Sequence, residues 1–294
     1  MKVGGNWRAL AWAFLFLASA GRPEFSGTAP ASRMESLTLR SEIFHNTRTI
    51  RVWLPPGYYA SNNARRYPVF YFTDGIATFH GRQLDRISDG LVKSGRVAPC
   101  IFVGIDNGGS TQESKNPMLD RANEYLPFAD RSFDPPLVSP QGKLFPAFLE
   151  REVRPMIESK YRTLSDPAHT GLAGASYGAA AVLFTALEQP GQYGWLLLES
   201  PSLYIGDRAL LGRASSMITW PQRVYVGVGT REGEGAAQHE MVSNAQALVN
   251  IIKKSGAQTC FVVVPGAQHS EDAWRMRLPD ALKFFLGNAE CPGG

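Results

Sequence analysis

Gly174-Ala175-Ser176-Tyr177-Gly178 reads G-x-S-x-G. Before it, His169-Thr170-Gly171-Leu172-Ala173 is short and apolar enough for a buried strand. After it, Ala179 to Gln189 is rich in Ala and Leu, which favour helix, and Pro190-Gly191 stops it. A serine between small residues, where a strand turns sharply into a helix, sits on a strained backbone that pushes its Oγ out of the sheet. The glycines let strand and helix approach closely. So short a pattern recurs by chance in a chain holding 29 glycines. Its neighbours must therefore carry the reading.

Those neighbours alternate between strand and helix. Ser36 to Phe44 and Thr47 to Leu54 are β-rich runs joined by His45-Asn46, the pattern of an antiparallel hairpin. Runs 69–72, 100–105, 169–175, 194–199, 223–229 and 259–264 read as buried strands. Helical periodicity fills 83–93, 144–161, 237–254 and 272–286, with a kink expected at Pro155 and an interruption near Pro279. The pattern predicts an α/β fold: a mostly parallel, eight-stranded central sheet with an N-terminal antiparallel hairpin and helices on both faces. Residues 107–142 carry five prolines and no clear period. Following a strand, they belong at the carboxyl edge of the sheet, as a loop or lid over the site. One domain is expected over 36–290, with no internal repeat.

Lys2 and Arg8 precede an apolar run from Ala9 to Ala18, and Ala18-Ser19-Ala20 resembles a signal-peptidase site. We therefore expect a signal peptide over 1–20, a disordered leader over 21–35, and an exported protein (periplasmic or secreted) with no stable membrane association after cleavage. Removing the signal peptide, with Lys2 and Arg8, takes the formal charge from +4 to +2. With no basic run, nucleic acid is excluded as a partner. Of three cysteines, Cys100 and Cys260 fall in expected strands as buried apolar groups. Export permits a Cys260–Cys291 bridge tying the C-terminal tail to the sheet. No Cys/His spacing suggests a metal site, and neither metal nor organic cofactor is expected.

A serine hydroxyl needs a base to take its proton. In α/β-hydrolases, the fold built around such a turn, the order is Ser, then Asp or Glu, then His. Two histidines follow Ser176. His239 lies in an expected surface helix. His269 lies directly after the last strand, at the same sheet edge as Ser176, and is the candidate base. His45, His80 and His169 precede the serine and read as structural, with His80 placed near the substrate. The acid belongs just beyond the preceding strand. Glu232 is the first candidate, Glu234 the second, and Asp207, after an earlier strand, the third. The backbone N–H groups of Tyr177 and of Ile76, in the Asp74-Gly75-Ile76 turn, are the candidate oxyanion donors.

At this point the chain resembles the enterochelin-esterase-like esterases, a group that includes esterase D and several feruloyl and acetyl-xylan esterases. The resemblance spans about 45–286. It rests on Tyr71-Phe72-Thr73-Asp74-Gly75, Val103-Gly104-Ile105-Asp106-Asn107, Glu124-Tyr125, Tyr161-Arg162-Thr163, the Ser176 pentapeptide, Ser200-Pro201-Ser202, and His269 followed by Trp274. It implies an α/β-hydrolase cleaving carboxylic esters, small-molecule or carbohydrate-linked, through a serine and a histidine. The third member varies in that family, so Glu232 is less determined than Ser176 or His269. Ala179 stands where many relatives carry a second glycine. An acyltransferase on the same machinery, or a non-catalytic binding protein on the scaffold, are the other readings. The oligomeric state is left open.

Overall fold

The computed structural model describes residues 31–233, 236–287 and 289–291. The expected signal peptide, most of the expected leader and Glu234 lie outside these residues. One eight-stranded sheet runs β1 (Arg33–Ser41), β2 (Asn46–Leu54), β4 (Ile101–Ile105), β3 (Val69–Thr73), β5 (Thr170–Ala175), β6 (Trp195–Glu199), β7 (Arg223–Arg231), β8 (Gln258–Gln268) in spatial order. β1 pairs antiparallel with β2, and β2 with β4. All later pairs are parallel. β1 begins earlier than the sequence suggests: Arg33, Met34 and Glu35 pair with Leu54, Trp53 and Val52. These residues belong to the sheet rather than to a leader.

The central strands are apolar without alternation because both faces are covered. In β3, Val69 and Tyr71 pack into one core while Phe70 and Phe72 pack into the other. Helices α1 (Leu84–Lys93) and α8 (Glu271–Leu286) cover the Phe70 side. The opposite side holds α2 (Pro117–Tyr125), α3 (Phe145–Phe148), α4 (Arg154–Lys160), α5 (Tyr177–Glu188), α6 (Ile205–Ser215) and α7 (Ala236–Lys253).

Three local expectations change. The 107–142 segment is not structureless, since it contains α2. The bend near Pro155 is a wide π turn over Leu149–Val153, between α3 and α4. A widened turn gives the proline ring room against the carbonyl one turn earlier. Pro279 does not interrupt α8, whose buried Leu278, Ala281 and Leu282 hold it against the sheet through the missing hydrogen bond.

Candidate active site

The carboxyl ends of four adjacent strands build the site. In β5 and β6, Ala175 pairs with Glu199, so Ser176 emerges beside Ser200. The Ser176 N–H donates to the Glu199 carbonyl at 2.9 Å. Its backbone is left-handed, at φ 57° and ψ −124°, and turns directly into α5. Such strain in a non-glycine residue persists only where its surroundings enforce it. In β7 and β8, beyond a bulge after Gly229, Arg231 pairs with Gln268. The next residues, Glu232 and His269, therefore leave the sheet side by side.

The three side chains form a continuous chain. The Ser176 hydroxyl lies 2.8 Å from His269 Nε2. His269 Nδ1 lies 3.2 Å from Glu232 Oε2. Glu232 Oε1 accepts from the Ser200 hydroxyl at 2.7 Å and from the Gly229 N–H at 2.5 Å. The Glu232 side chain is fully buried, and that of His269 is one-third exposed. Trp274, in the first turn of α8, meets the His269 ring edge-on at 5.0 Å. Ser202 places its hydroxyl 3.5 Å from that of Ser176. Asp207 lies apart, lining a cavity of about 420 Å³ with Phe128, Asp130 and Tyr204.

Tyr177 opens α5, where the first N–H groups of a helix lack intrahelical acceptors and the helix dipole favours negative charge. Ile76 is exposed on the turn after β3. Its N–H faces the Asp106 carboxylate. Burial raises the Asp106 carboxyl, and Arg51 together with the Ile76 N–H opposes that rise. Gly75 is required at this contact: a Cβ there would stand 2.5 Å from Asp106 Oδ1.

The turn after β3 is locked from the 107–142 segment, a connection the sequence reading missed. Arg121 of α2 grips Asp74 with two bonds, at 2.7 and 2.8 Å, and reaches the Ala175 carbonyl at 3.4 Å. Asn107 adds a bond to Asp74 at 2.6 Å. Burial alone would raise the Asp74 carboxyl, but Arg121, Arg82 and Asn107 hold it below its usual range. The Tyr125 hydroxyl accepts from the Asp74 N–H at 3.0 Å. Tyr177 donates its hydroxyl to Asp130 at 2.9 Å, so the segment meets the serine turn on a second side.

The other histidines lie apart from this chain. His80 is exposed and lines a separate cavity with Arg51 and Arg86. His169 is held by Asp166 at 2.8 Å, and His45 sits in the left-handed turn between β1 and β2. His239 falls in α7, with its side chain outside the described set. Among the described residues no group of His, Cys, Asp and Glu is arranged to hold a metal ion.

The architecture recurs in solved structures. A ferulic acid esterase superposes with a TM-score of 0.67 at 18% identity, over 87% of this chain and 98% of that one. The enterobactin esterase FES from Shigella flexneri gives 0.67 at 18%, with this chain spanning 60% of its length. At these identities the likeness is one of fold. YbbA, an uncharacterised protein of Bacillus subtilis, is 24% identical over 257 residues, 84% of this chain and 96% of its own. A family model, Putative esterase, matches residues 41–285. That match takes in every strand from β2 to β8 and all of Ser176, Glu232 and His269, and the chain belongs to this esterase family.

Proposed function

We propose that the protein is an exported serine esterase. The observation that carries this reading is the 2.8 Å contact between Ser176 Oγ and His269 Nε2, continued through Nδ1 to Glu232. His269 takes the hydroxyl proton on Nε2 as Oγ attacks the ester carbonyl. Glu232 stabilises the imidazolium and holds its tautomer. The Tyr177 N–H receives the oxyanion. The second donor we assign is the Ile76 N–H, which then divides its bond between the oxyanion and Asp106. His269 passes its proton to the departing alcohol. Water, deprotonated by the same imidazole, then releases the acid and restores Ser176.

Export is supported by the Cys260–Cys291 disulfide, which needs an oxidising compartment. No helix among the described residues is long and apolar enough to cross a membrane. Export and the serine mechanism are tested separately. Cell fractionation should find the protein outside the cytoplasm with a mature N-terminus near residue 21. Hydrolysis of p-nitrophenyl acetate should fall about 10⁶-fold in kcat in Ser176→Ala. Wild-type turnover in that variant would end the serine mechanism.

A further inference from the structure

We propose that Ser200 is a positioning residue for Glu232: its hydroxyl anchors one carboxylate oxygen so that the other faces His269. This rests on reading Ser176, His269 and Glu232 as the catalytic set. The direction of the Ser200 proton follows from its partners. Its Oγ accepts from Trp274 Nε1 at 2.8 Å and from Arg277 Nη2 at 3.3 Å. Both lone pairs of the hydroxyl are thereby engaged, and its single hydrogen is left for Glu232 Oε1, 2.7 Å away. Oε1 also holds the Gly229 N–H, and Arg277 Nη2 stands 3.7 Å from it. Oε2 is left to His269. The carboxylate thus has one fixed oxygen and one working oxygen.

Two further features point the same way. Ser200 is fully buried and left-handed, at φ 46°, a conformation that glycine adopts without strain. Its N–H donates to the Gly227 carbonyl at 2.7 Å, a bond that glycine would keep. A serine held there against its backbone preference marks a use for the hydroxyl. Arg277, in turn, is held by Glu199 at 2.7 Å. A Cβ on Gly227 would stand 2.5 Å from that Glu199 carboxylate. The cation beside Glu232 is thus shared with a second carboxylate, which keeps it in place without giving Glu232 a bidentate partner that would draw it from His269.

Ser200→Gly removes the hydroxyl and relaxes the backbone, so function and folding separate. With p-nitrophenyl acetate, kcat is expected to fall about 10–100-fold, the worth of one hydrogen bond to a charged group. KM should be unchanged, and the thermal midpoint should fall less than in Ser200→Ala, because both variants leave Trp274 Nε1 and Glu232 Oε1 without the hydroxyl but only glycine relieves the left-handed backbone. Ser200→Ala, which keeps the strain, should lose the same kcat. Because Ser200 acts through the carboxylate, Ser200→Gly should have no further effect in a Glu232→Gln background. Losses that multiply in the double variant, or a rise in KM at constant kcat, overturn the role of Ser200 while leaving the serine mechanism standing. Full activity in Ser176→Ala overturns that mechanism and this role together.

Discussion

Gly174 shows how closely the serine turn is packed. A Cβ on it would stand 2.3 Å from the Gly178 carbonyl oxygen, backbone against backbone, where no side chain can yield. Gly174→Ala should therefore lose about 1–3 kcal/mol in urea unfolding, with a fall in kcat as the turn shifts. An unfolding midpoint equal to wild type would mean that α5 can move away from β5 at no cost. Ser176, His269 and Glu232 were legible as neighbours in space because each follows a strand, and parallel strands bring such residues to one edge. The aim of the Ile76 N–H was not legible, since it depends on Asp106 at the end of another strand. Arg121 was hidden for the same reason: nothing local to α2 announces a bond to a residue 47 positions earlier.

The strands and most helices were readable from apolar runs and their punctuation, and the exceptions have identifiable causes. Pro117 looks like a breaker, yet it sits in the first turn of α2, where a missing N–H costs nothing. Asn116 caps that helix by accepting the Leu119 N–H at 3.3 Å. The inward face of α2 carries Glu124, paired with buried Arg48, which blurs its apolar period. α6 was missed because its start breaks into left-handed backbone at Gly206, Asp207 and Arg208. At the other end of the chain, the Cys260–Cys291 bond closes a loop with a sequence separation of 31 that contains His269 and α8. Cross-linking a loop of that length limits the unfolded chain by about 3–4 kcal/mol. Cys291→Ser should lower denaturant stability by roughly that amount, while p-nitrophenyl acetate turnover stays at the wild-type level under native conditions. Adding reductant should bring the wild type to the variant's midpoint and leave the variant unmoved. A variant as stable as wild type would show that packing of α8 alone secures this end of the sheet.

Across the whole molecule, buried carboxylates near the sheet edge respond to acid in opposite directions. Burial raises the carboxyls of Glu199 and Glu124, against the pull of Arg277 and Arg48, and raises that of Asp106 against Arg51. These groups bind protons more readily folded than unfolded, so acidification by itself favours the folded chain through them. Asp74 behaves oppositely. Its folded value lies below the ordinary 3.8, so the folded state binds its proton less readily than the unfolded state. Its contribution is fully present above about pH 4 and is lost as pH falls through the lower folded value. Asp74→Asn resembles the protonated carboxyl and leaves Arg121 without its ion partner. At pH 7 it should cost about 3–5 kcal/mol, as expected when one member of a buried pair is removed. The gap between wild type and variant should hold down to about pH 5 and narrow progressively below the unfolded value of 3.8. Urea unfolding of both proteins at pH 7, 5 and 3 measures it. A gap as wide at pH 3 as at pH 7 would show that the lost hydrogen-bond geometry, and not the charge on Asp74, couples the 107–142 segment to the turn after β3.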